Sequence, residues 1–143
     1  MKLKPLSLAT VVLAGSALAW TALAGAISAQ AAVTDSQFPP KTVRDLISIC
    51  SAGRDDPKMT ASVNYCHGFA EGAVIVELAH GSQKNGRKLF CLPNPPPASD
   101  AELASFTAWA NQNPSRLNMP SVDGMFLYLA IRYPCDNAGG TRR

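Results

Sequence analysis

The chain has 143 residues, with 13 Lys and Arg against 10 Asp and Glu. Setting aside Lys2 and Lys4 in the leader described next leaves 11 against 10, a balance that carries no electrostatic footprint for nucleic acid. Roughly 112 residues then remain, enough for one domain with a modest core and too few for two.

The leader is read from residues 1–31. Two lysines precede an uncharged stretch from Pro5 to Ser28, and Ala29-Gln30-Ala31 follows as an A-x-A cleavage motif. That order predicts a signal peptide, an exported mature chain starting near Ala32, and a periplasmic location. An uncleaved anchor is the competing reading, because the uncharged stretch nearly suffices to span a bilayer. An oxidising compartment gives the four cysteines their meaning: Cys50, Cys66, Cys91 and Cys135 are an even set in a small exported chain, which favours two disulfides. Their intervening spacings of 15, 24 and 43 residues do not match the close ligand pairs of a zinc site, so neither a metal nor a cofactor is expected. Although Cys66 and His67 are neighbours, adjacent helical positions point about 100 degrees apart, which makes His67 a poor base for a Cys66 thiolate.

Thr42 with Asp45 predicts a capped helix over about 43–51, with Val43, Leu46, Ile47 and Cys50 as its buried stripe. After a break at 52–57, a second helix runs from about Met59 to His80, with Gly81 expected as a left-handed stop. Its apolar residues fall on two sides, Val63, Cys66, Ala70 and Val74 on one and Tyr65, Phe69 and Val76 on the other, which predicts a central helix. Gly68 and Gly72 would let a neighbouring helix approach closely. The segment 81–99 loses periodicity and carries Lys84, Arg87, Lys88, Cys91 and four prolines, the pattern of a long loop, which at that length is usually functional or mobile. Ser99-Asp100-Ala101-Glu102 reads as a capping box for a third helix ending by Asn113. Past a short link at 114–119, a fourth helix carries Val122, Met125, Phe126, Leu129 and Tyr133 on one face until Pro134 stops it. The polar tail, 136–143, is expected to be disordered.

The expected architecture is thus all-α, a small four-helix bundle over 32–135 stapled by two disulfides. Helices three and four, joined by a short link, should be antiparallel, which sets Cys91 beside Cys135. Cys50 and Cys66 flank the first connection. Of three connectivities, 50 to 66 and 91 to 135 is therefore favoured.

The order of Cys50, then "CHGFAEGA" at Cys66 to Ala73, "FCLP" at Phe90 to Pro93, "NQNP" at Asn111 to Pro114 and "RYPC" at Arg132 to Cys135 resembles the Tai/Rap family of type VI secretion immunity proteins. The resemblance implies a periplasmic all-helical protein, often a homodimer, that binds and blocks a peptidoglycan-cleaving amidase and performs no catalysis. On that reading the cysteines are framework, and recognition falls to surface loops. Lys84, Arg87 and Lys88 in one loop, and Arg116 in the link between helices three and four, are the candidate partner contacts. Two other classes stand beside it. An HdeA-like periplasmic stress chaperone would need an acid switch, and the 10 carboxylates form no dense cluster. An enzyme would need a free thiol or a convergent acid pair, and Glu71 and Glu77, six apart, project in different directions.

Overall fold

The structure, a computed structural model, describes residues 31–135. The expected leader lies outside them except for Ala31, and the expected tail lies outside entirely. Four helices follow in order: α1 (Val43–Cys50), α2 (Met59–Gly81), α3 (Ser99–Asn111) and α4 (Ser121–Arg132). Short 3-10 turns occupy Asp35–Gln37 and Pro114–Arg116. Among the described residues there is no β-strand, only an isolated antiparallel bridge between Thr42 and Pro120.

The shortest helix is the centre. Thr42 caps α1 as its sequence predicts: Oγ1 accepts from the Asp45 amide at 3.2 Å, and Asp45 Oδ2 accepts from the Thr42 amide at 3.0 Å. Val43, Leu46 and Ile49 are fully buried, so α1 is covered on more sides than one stripe would require. It contacts α2, α3 and α4 more extensively than α3 and α4 contact each other. The expectation that α2 is the central helix is therefore corrected. The two apolar sides of α2 have a different cause: one faces the core through Cys66 and Ala70, while Tyr65 is covered by Phe38 of the amino-terminal segment and Phe69 stacks on Tyr65 and packs against the main core. Phe38 meets the Tyr65 ring edge-on at 5.0 Å, and Val33 packs against Ile49 and Cys66. Ile75 and Val76 remain open to solvent.

Helix α4 approaches α1 through Gly124. A Cβ built there would lie 2.1 Å from Val43 Cγ2, so no larger residue fits without displacement. The backbone tightens this contact. Val43 N donates to Met119 O at 2.9 Å, Arg44 N to Leu117 O at 3.0 Å, and Ser121 N to Lys41 O at 3.1 Å. The buried Ser121 hydroxyl donates to Pro40 O at 2.8 Å. The buried face of α4 is accordingly Ser121, Gly124, Met125, Tyr128 and Leu129, with Val122 and Phe126 only half-buried. The predicted face was rotated because apolar size was used to find it, and two of its members are small.

Gly68 and Gly72 do not pack against another helix. Both are exposed, with nothing within 4 Å of an added Cβ. Gly81 is also not a left-handed stop: it lies inside the last turn of α2 and is buried, and Ser82 follows in helical geometry. The glycine is required there by the returning chain, since a Cβ would sit 2.8 Å from Lys88 Cγ. Helix α3 starts differently from its sequence reading. Ala98 is its N-cap and makes no side-chain cap bond, which frees Ser99 and Glu102 for contacts with other helices. It ends at Asn111, two residues before the predicted Asn113.

Both disulfides form with the predicted pairing, Cys50 to Cys66 and Cys91 to Cys135, and no described cysteine is free. Each closes a loop of the unfolded chain and typically contributes about 2 to 4 kcal/mol to a domain of this size.

Candidate functional site

Three of the four candidate contacts, Lys84, Arg87 and Lys88, lie on the segment that returns from α2. Its start folds tightly back over the last turn of α2: Gln83 N donates to His80 O at 3.1 Å, and Gly86 N to Gln83 O at 2.9 Å. A Cβ at Gly86 would lie 2.0 Å from His80 O, so the crossing depends on glycine at both Gly81 and Gly86. Glu77 then accepts from the Leu89 amide at 3.1 Å, and Phe90 is anchored in the core beside Phe126. Between these anchors Lys84, Arg87 and Lys88 are all exposed, three cations on one braced loop.

The fourth predicted contact is on a different segment. Arg116 belongs to the 3-10 turn after α3, its guanidinium 4.8 Å from the Trp109 ring centroid, a cation–π arrangement that holds the side chain against the helix. The turn is not a free loop, because the bonds from Val43 and Arg44 fix Met119 and Leu117 to the start of α1. Ser115 and Asn118 remain exposed between those attachments.

The carboxyl-terminal end of the bundle is held by a clamp that the sequence reading did not find. Glu102 Oε1 accepts from the Tyr128 hydroxyl at 2.6 Å and pairs with Arg132 Nε at 2.9 Å, while Oε2 accepts from the Tyr133 hydroxyl at 2.8 Å. Burial, aided by the Glu102 carboxylate, pushes the Tyr128 phenol well above its ordinary value. The same two causes raise Tyr133. Beside this clamp, Cys91 N donates to Tyr133 O at 2.8 Å, next to the Cys91–Cys135 bridge. Sequence spacing assigned Glu102 to a local cap; only the antiparallel return of α4 gives it partners.

His67, the imidazole beside Cys66, is likewise structural. Its Nε2 lies 2.9 Å from Asp100 Oδ1 and its Nδ1 3.2 Å from Ser99 Oγ, so it ties α2 to the start of α3. Cys66 is 1% exposed and bonded to Cys50, which leaves no thiol for chemistry. No group of three or more His, Cys, Asp or Glu side chains among the described residues could hold a metal ion. No helix among them is long and apolar enough to cross a membrane.

One cavity stands apart from the cationic loop. It has a volume of about 300 Å³ and lies between α2, α3 and α4 under Pro96 and Pro97. Ala70 and Val74 leave the space on the α2 side, and Phe106 and Leu129 line the opposite wall. Periodicity marked these residues as core without distinguishing a filled interior from an open one.

The model of the Rap1a immunity proteins matches residues 42–135, which is more than half of the chain. The chain belongs to that family. The match begins at the Thr42 cap and ends at Cys135, so it covers all four helices and both disulfides of the family member seen here. A Rap1a immunity protein acts by binding a protein effector, which directs attention to displayed surface. No curated protein and no solved structure matches the chain.

Proposed function

We propose that this immunity protein works in the periplasm, where it binds and blocks a peptidoglycan-cleaving amidase delivered by a type VI secretion system. The observation that carries the reading is the family match over the whole helical body. The two disulfides support an oxidising compartment, in keeping with the leader read from residues 1–31. An inhibitor gains from a rigid display surface, because little ordering entropy is lost when a braced loop enters a cleft. The loop bearing Lys84, Arg87 and Lys88 is such a surface, with Arg116 as a further contact. Pairing of two copies into a homodimer belongs to the same reading. Catalysis has no part in it.

The test uses the secreted amidase encoded nearest to this chain's gene. Reversing Lys84, Arg87 and Lys88 together to Glu should weaken the complex by roughly tenfold or more and steepen its dependence on salt, with unchanged helix content by circular dichroism. Equal inhibition by the triple variant would remove these cations from the recognition surface. Absence of any complex with the wild-type chain would defeat the amidase reading itself.

A further inference from the structure

The cavity between α2, α3 and α4 is separate from the cationic loop, with none of Lys84, Arg87 and Lys88 in its lining. Its walls are almost wholly carbon, including Ala70, Val74, Leu103 and Phe106, yet its mouth reaches solvent past Ile75, which is 65% exposed. An apolar hollow beside an exposed branched side chain leaves hydrophobic surface in water that folding alone does not remove. Two carboxylates border it, and they are not equivalent. Glu102 is 15% exposed at its side chain and is already shared by Tyr128, Tyr133 and Arg132. Glu71, at the mouth, is exposed and has no partner among the described residues.

An occupant that satisfies both features is an apolar body with a cation beside it. At about 300 Å³ the space lies at the lower end of small-molecule sites, and it fits one aromatic or two aliphatic side chains. We propose that it receives an anchor residue, aromatic or branched aliphatic, from a segment of the protein partner, with a neighbouring Lys or Arg paired to Glu71. In taking the occupant to be protein, this rests on the immunity reading above. The chemistry is opposite in sign to the Lys84–Lys88 loop, so the molecule offers one partner a basic surface and an acid-rimmed apolar socket. Such a socket gives the buried anchor that carries most binding energy in a protein interface, while the rim charge sets specificity.

Isotope-labelled protein is titrated with N-acetyl-Lys-Trp amide and with N-acetyl-Glu-Trp amide, and amide shifts are followed by NMR. Saturable shifts should concentrate at Ala70, Val74, Leu103 and Phe106, with the lysyl peptide binding roughly two- to fivefold more tightly, the worth of one exposed charge pair. Glu71→Gln, an exposed change that leaves the fold alone, should erase that preference, and Val74→Trp should abolish the shifts by filling the space. Dispersed or non-saturating shifts, or equal binding of the two peptides, would overturn the proposal. Free indole binding as tightly as the lysyl peptide would also overturn it, by marking a site for a small apolar molecule. Failure of the amidase to bind leaves these titrations as they are, and failure of the titrations leaves the loop experiment as it is, so the two readings are separable.

Discussion

The Tyr128 hydroxyl donates to Glu102 across a 2.6 Å hydrogen bond that joins the middle of α4 to the first turn of α3. Because the acceptor is a largely buried carboxylate, the bond belongs to the stronger, charge-assisted kind. Three donors converge on that one side chain, so its loss strands more than one polar group.

Replacing Glu102 by Gln should therefore lower stability by about 1 to 3 kcal/mol, since the amide offers one acceptor where three donors converge. Tyr128→Phe, which removes one donor and leaves the ring in its aromatic cluster, should cost about 1 kcal/mol. Urea unfolding followed by circular dichroism distinguishes the two. Equal and negligible effects would mean that the clamp contributes nothing to the fold.

The two disulfides should differ in worth. Cys91 and Cys135 are 44 positions apart and Cys50 and Cys66 only 16, so loop-closure entropy makes the longer bridge more stabilising by about 1 kcal/mol. Midpoints of denaturant unfolding for the paired Cys→Ser variants measure this difference. Thiol titration of the native protein without reductant should find no reactive cysteine among these four.

Two glycines should respond to alanine with opposite signs. Gly124→Ala drives a methyl group into Val43 and should destabilise by about 1 to 3 kcal/mol, with part of the loss recovered in a Val43→Ala background. Gly68→Ala meets open space inside a helix and should stabilise by about 0.5 to 1 kcal/mol. A destabilised Gly68→Ala variant would show that another molecule, such as a second copy, covers that face in solution.

Acid should release the amino-terminal segment before the bundle. The Asp56 carboxylate accepts from the Val33 amide at 2.7 Å and from the Lys58 amide at 2.8 Å, and these bonds hold its pKa below the ordinary 3.8. A carboxylate whose folded pKa is depressed stabilises fully above its unfolded pKa, and that contribution is lost as pH falls through the lower folded value. The protection of the Val33 amide, its exchange relative to the intrinsic rate at each pH, should fall below about pH 3.8 while the amides of α1 stay protected. Asp56→Asn should show the faster exchange at neutral pH and no further acid step.

Local signals in the sequence were read correctly where the structure is local. Thr42 and Asp45 cap α1 because both members of the box lie within one turn. The cysteine pairing was legible because short connections leave few geometries for four positions. What failed were inferences that needed a neighbour. Gly81, Ser99 and Glu102 have partners 7, 32 and 26 positions away respectively, at Lys88, His67 and Tyr128, and no pattern within a helix announces them. The central place of α1 was hidden by its length, since eight residues give too short a window for periodicity to show burial on several sides. The cationic loop was found from composition alone, whereas the cavity needed the packing of three helices.

The position of α1 also bears on how the chain reaches its native state. Helix α1 is synthesised before α4, yet the seam that completes it includes a hydrogen bond between residues 81 positions apart, from Ser121 to Pro40. Contacts of such separation form late and raise the contact order, so α1 has no finished environment until α4 has emerged. A truncated chain that stops before Ser121 should accordingly remain open to proteases under oxidising conditions, whereas the chain that includes α4 should resist them.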